Sequence, residues 1–272
     1  MPYSFEKREN LSLAHNLNQR IMKLFRSNLW IFLLAFCVYF SSCSSDDDND
    51  PTQAQSANVT PETPGDADAV LAAIKVKSNV PGAAPVPGLG DILIDVASAN
   101  FYSSAGGGSL AKAGDVKIND FTLKTVGNSY INNATDISLG LNSGQGNDWS
   151  VSGGSGFDAF TYSTSKKMPG VIRLNNVPDA ISIAGSVTVA IEGIPANCDN
   201  IIWVISDGDK VATKTTKATS VTFSSSDLSG MKATSTGIVQ AAAYTTESQT
   251  FGGKKVYFIN ETLDSKFVEI NK

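Results

Sequence analysis

The sequence predicts an all-β chain of two sandwiches in tandem, on three observations. Short runs of alternating apolar and polar residues recur throughout residues 69–272, the pattern of half-buried strands. Gly, Pro, Asn and Asp gather between those runs, where turns need them. The same stretch is rich in Ser, Thr, Val, Ala and Gly, while charged residues make up 17% and hydrophobic residues 42% of the chain. That balance permits a real core.

In chain order, residues 1–21 come first. They are polar and mixed in charge and do not look like part of a signal, so translation is expected to start at Met22. The only histidine of the chain, His15, falls in this extension.

Residues 22–42 read as an export signal. Lys23 and Arg26 form a cationic start, residues 29–40 are an unbroken apolar run, and Ser41, Ser42 and Cys43 follow. The run is too short to span a bilayer, which takes about 20 apolar residues. Phe40-Ser41-Ser42-Cys43 resembles the lipobox of bacterial lipoproteins, with Phe40 where that family usually has Leu. The resemblance implies that Cys43 is the first mature residue and carries acyl chains such as palmitate on its sulfur and amino group. Two or more chains give stable anchoring where one is marginal. The alternative is an ordinary signal cut after Ser42, which leaves a free thiol at Cys43. Asp46, Asp47, Asp48 and Asp50 follow at once and resemble the surface-export signal of Bacteroidetes lipoproteins. That implies an outer-membrane anchor with the body facing outward; a periplasm-facing body is the alternative.

Residues 43–68 show no apolar periodicity and are rich in Ser, Thr, Asp and Pro, as a lipidated, disordered tether would be. Some 25 residues of this kind reach roughly 25–30 Å.

Residues 69–167 form the first expected sandwich. Residues 70–77 open it as a strand, and Pro81, Pro85 and Pro87 with Gly82 and Gly88 mark a turn-rich loop. Ile92, Ile94 and Val96 alternate into a long strand closed by Phe101-Tyr102 and broken at Gly106-Gly107-Gly108. Asn119-Asp120 fits a two-residue hairpin turn. Ile137, Leu139 and Leu141 alternate as another strand should, then Trp149 with Val151 and Phe160 with Tyr162 supply the last two.

Residues 168–272 form the second, opened by Pro169-Gly170. Val187, Val189 and Ile191 alternate, residues 201–205 are a buried strand, and Asp207-Gly208-Asp209 is a tight turn. Val221 with Phe223, a corner at 225–230, and strands at 238–244, 255–260 and 267–270 complete it. About seven strands in about 100 residues, with Trp203 some fourteen residues past the middle of the preceding strand, resemble an immunoglobulin-like or fibronectin-type-III-like sandwich without its inter-sheet disulfide. The first unit has the same rhythm around Trp149. One large sandwich is the alternative, and no internal sequence repeat is evident.

The composition excludes several chemistries. From Cys43 onward there are 16 Lys and Arg against 24 Asp and Glu, and Arg173 is the only arginine, a poor match to nucleic acid. Without a mature histidine there is no base for a Ser-His-Asp or Cys-His site and little with which to hold zinc; no cofactor is expected. Cys37 leaves with the signal and Cys43 is acylated, so Cys198 is left alone, read as a half-buried thiol rather than a nucleophile. Ser109-Leu110-Ala111-Lys112 and Ser163-Thr164-Ser165-Lys166 match S-x-x-K without its partner motifs. The Gly-rich stretches at 144–146 and 153–156 lead into strands, not the helix a phosphate cradle requires. Asp207-Gly208-Asp209 lacks the spacing of a calcium loop.

The expected role is therefore that of a non-catalytic, lipid-anchored surface protein, a spacer or interaction module that meets the membrane through Cys43. Its partner would be a glycan or another surface protein. A glycan-binding lipoprotein is the second reading, with Trp149, Tyr102 and Tyr162 as candidate stacking rings; Trp203 and Tyr244 are further aromatics such a face could use, although Trp203, and to a lesser degree Trp149, reads as core. A hydrolase with dispersed carboxylates, among Glu192, Glu247, Glu261 and Glu269, is the third.

Overall fold

The computed structural model describes residues 61–78 and 92–272, which all lie within one compact unit, Ser42–Lys272. The expected extension, signal and most of the tether, Cys43 among them, and the Pro-rich loop at 81–88 fall outside the described residues. Among those residues the fold is all-β and sandwich-like, with three sheets and no helix.

The strands are β1 (Ala69–Ser78), β2 (Ile92–Ser104), β3 (Gly107–Ala111), β4 (Val116–Ile118), β5 (Phe121–Thr122), β6 (Lys124–Val126), β7 (Ser129–Ile131), β8 (Asp148–Val151) and β9 (Phe160–Ser163). They continue as β10 (Leu174–Asn175), β11 (Ala180–Ser182), β12 (Val187–Ile191), β13 (Asn200–Ser206), β14 (Val211–Thr215), β15 (Ser220–Phe223), β16 (Thr234–Phe251) and β17 (Lys254–Asn271). A ten-stranded sheet runs β14-β13-β16-β17-β1-β2-β7-β6, with β3 on β2 and β11 on β17. Two smaller sheets run β5-β4-β8-β9 and β10-β12-β15.

Alternation along β17 places both small sheets on one face of the large one. Val256 and Phe258 enter a first core with Ala69, Leu71, Ala73, Phe101, Val116, Ile118 and Trp149. Val268 and Ile270 enter a second with Val189, Ile191, Ile201, Trp203, Phe223 and Val239. All four β17 residues are even-numbered, and side chains two apart share a face. The cores divide where the sequence marks a boundary, with Met168 in one and Ile172 in the other. The large sheet, however, takes strands from both sides of that point, because β16 and β17 are each 18 residues long and span both cores. The sequence reading broke them into three short strands.

Two local readings can be compared directly. Asn119 and Asp120 both have positive φ, 43° and 68°, as the two-residue turn between β4 and β5 requires. Residues 137–141, in contrast, are not a strand. Leu139 and Leu141 are fully buried as their alternation implied, but their amides donate to Asp95 Oδ2 at 2.8 and 3.1 Å. A carboxylate takes the place of a neighbouring strand.

Candidate functional site

The body begins earlier than the sequence suggested. Asp66, Ala67 and Asp68, read as the end of the tether, are fastened to the start of β17. Asp68 N–H donates to the Lys255 carbonyl at 2.8 Å, and the Lys255 amide donates back to Asp68 Oδ2 at 2.8 Å. Lys254 Nζ reaches Asp68 Oδ1 at 2.9 Å. Asp66 receives Lys255 Nζ at 2.5 Å and the Tyr257 hydroxyl at 2.8 Å. Ala67 has no exposed surface, and its carbonyl accepts Gly106 N–H at 2.8 Å. A Cβ at Gly106 would collide with the Gly65 carbonyl. The Lys255 ammonium and the Tyr257 hydroxyl hold the Asp66 carboxyl below the usual carboxylate range. Burial pushes Asp68 up, but the Lys255 amide and the Lys254 ammonium more than offset it.

Between the two cores lies a polar seam. Asn260 accepts Asn147 Nδ2 at 2.8 Å and donates to the Lys166 carbonyl at 2.9 Å. Thr262 and Thr245 donate to the carbonyls of Gly170 and Lys167. The segment 164–170 that joins the cores is thus held to β16 and β17 by buried side chains. Two ion pairs border the seam. Asp95 binds Lys75 Nζ at 2.5 Å, and Asp264 binds Lys77 Nζ at 3.3 Å and the Leu174 amide at 2.8 Å.

The opposite face of the large sheet is largely apolar, with Ser98, Asn100 and Glu261 as buried polar residues on it. Val70, Ala72, Ile74, Ile202, Val204, Ala242, Ile259 and Leu263 are all buried there, and they belong to neither of the two cores. Glu261 stands among them with no exposed surface and no hydrogen-bond partner on either carboxylate oxygen. Its neighbours in register are Ile74 and Tyr244. Burial raises its carboxyl well above the usual range. The sequence names Glu261 only as one of four scattered glutamates; its place between Ile259 and Leu263 in a strict alternation was the available signal of its burial.

The ring candidates for glycan stacking separate. Trp149 is 1% exposed and Tyr102 is 5% exposed, so both lie in the interior. Tyr162 is half-buried, tilted over Phe258 with ring centroids 4.5 Å apart, and Ser165 beside it donates to Glu247. Trp203 is fully buried, donating from Nε1 to the Thr216 carbonyl, and Tyr244 is half-buried.

The other motifs have structural occupations. Asp207 Oδ1 caps the amides of Asp209 and Lys210, its Oδ2 takes the Lys232 amide, and Asp209 pairs with Lys232 Nζ. Among the described residues no group of three His, Cys, Asp or Glu is placed to hold a metal ion. Cys198 is buried, donates to the Asn200 carbonyl at 3.0 Å, and has its thiol pushed up by burial, with Lys217 partly opposing. Such a thiol is a weak nucleophile. No protein-family model matches the chain, and no curated protein is similar to it.

Proposed function

We propose that the protein is a lipid-anchored lipoprotein of the outer membrane. Its body faces outward and serves, without catalysis, as a spacer or interaction module. One observation carries this reading: a cationic start and a 29–40 apolar run end at Ser41-Ser42-Cys43, with an acidic run directly behind. The folded body agrees with a structural role, because its carboxylates Asp68, Asp95 and Asp264 are engaged by amides and lysines. The two cores, each with a fully buried tryptophan, support a tandem immunoglobulin-like reading in which both halves share the large sheet.

Labelled palmitate fed to the producing cells tests the anchor. The expected result is label on the wild type and none on Cys43→Ala, with external protease removing the body from intact cells. An unmodified thiol at Cys43 and protein free in the medium would overturn the proposal. For the glycan-binding reading Tyr162 and Tyr244 are the candidate rings that are not buried, and a glycan array probed with the mature chain decides it.

A further inference from the structure

We propose that β1 is a tension-carrying strand, and that the fold takes up pull from the membrane anchor by shear rather than by peeling. The inference rests on the anchor at Cys43, since it is the tether from Cys43 that would deliver force to Ala69.

Four features of the described residues support it. First, β1 is an interior strand. It pairs with β17 at eight register positions and with β2 at ten. Second, β1 and β17 are parallel, and Ala69 lies opposite Val256, near the start of β17. The end of β17, at Asn271, is therefore at the far end of the pair. Tension between the tether and the distal end of the body draws β1 along its own axis. Ladder hydrogen bonds run across the strands, so an axial pull loads them together, whereas a sideways pull at one end breaks them one at a time.

Third, the register resists slipping on both faces. Ala69, Leu71 and Ala73 are buried in the first core, and Val70, Ala72 and Ile74 are buried on the other side. A one-residue slip would exchange these sets, so β1 must move about 6.6 Å before equivalent faces match again. Fourth, the entry point is fastened sideways. Asp66 and Asp68 hold Lys254, Lys255 and Tyr257 at the place where peeling would begin.

Single-molecule pulling on the unacylated chain from Cys43 to Lys272 tests the idea. The Cys43 thiol is one handle in two geometries. Lys272→Cys, at an exposed terminal residue, places the second handle for an axial pull. Gln249→Cys places it on an exposed residue of β16 that pairs with Val256, at the same end as Ala69, for a transverse pull. Circular dichroism checks that both fold, and Ser248→Cys replaces Gln249→Cys should it fail. The expected unfolding force is several-fold higher in the axial geometry. Equal forces, or a lower axial force, would overturn the proposal while leaving the anchor standing. Loss of the palmitate label with the force difference intact would instead remove the anchor and leave a clamp with nothing to pull on it.

Discussion

Asn260, Glu261 and Thr262 are consecutive residues of β17, and their environments could hardly differ more. Asn260 and Thr262 face the seam between the two cores, where each finds partners at 2.8–2.9 Å. Glu261 faces the other side of the sheet and finds none. All three are at most 1% exposed. Burial alone therefore does not decide what a polar residue costs; the partner does. The seam groups fix how the connecting segment lies on the sheet. Glu261 fixes nothing, and its burial raises its carboxyl well above the usual range.

Removing a seam member should give the largest effect. Asn260→Ala strands Asn147 Nδ2 and the Lys166 carbonyl together, where Asn147 is itself 1% exposed. A loss of about 2–4 kcal/mol is expected, read as a lower urea midpoint with an unchanged slope. A loss below about 1 kcal/mol would mean that the seam is wet and that the two faces of β17 do not differ as described.

Glu261→Met should act in the opposite direction, because it replaces an unsatisfied carboxyl with an apolar chain of similar length. A gain of about 1–3 kcal/mol at neutral pH is expected. The sign of its pH dependence follows from the raised carboxyl of the folded state. Below the unfolded value, about 4.3, both states hold the proton and the group adds no pH dependence. Above it the unfolded chain ionises first, so wild-type stability falls as pH rises toward the folded value. Urea melts at pH 4 and pH 8 should show this fall in the wild type and a smaller one in Glu261→Met. Equal slopes in the two proteins would place a donor beside Glu261 and erase the contrast with Asn260.

The same contrast explains what the sequence revealed. Period-two alternation is a local signal, and it located β12, β13 and the Asn119-Asp120 turn because each is settled by near neighbours and by backbone φ. It misassigned residues 137–141 because the partner of those amides is a side chain 44 and 46 residues away in sequence, Asp95. It divided β16 and β17 because the seam threonines and asparagine interrupt their apolar pattern, although the ladder continues unbroken beneath them. The fastening of Asp66 and Asp68 was invisible for a similar reason. Their partners on β17 are 186 to 191 residues away, and their own surroundings read as tether.

The smallest effect is expected where a charge pair lies in water. Asp209 and Lys232 approach to 2.5 Å, as close as Lys75 and Asp95, yet their side chains are 64% and 74% exposed against 3% and 14% for Asp95 and Lys75. Asp209 raises Lys232 through its hydrogen bond and charge, but solvent and salt screen an exposed pair, and two long side chains lose freedom to form it. Asp209→Asn should leave the urea midpoint unchanged while moving the Lys232 titration, followed by NMR, down toward an ordinary lysine. A measurable loss of stability would mean that Asp209 does more than meet Lys232, and that the turn capped by Asp207 depends on both of its carboxylates.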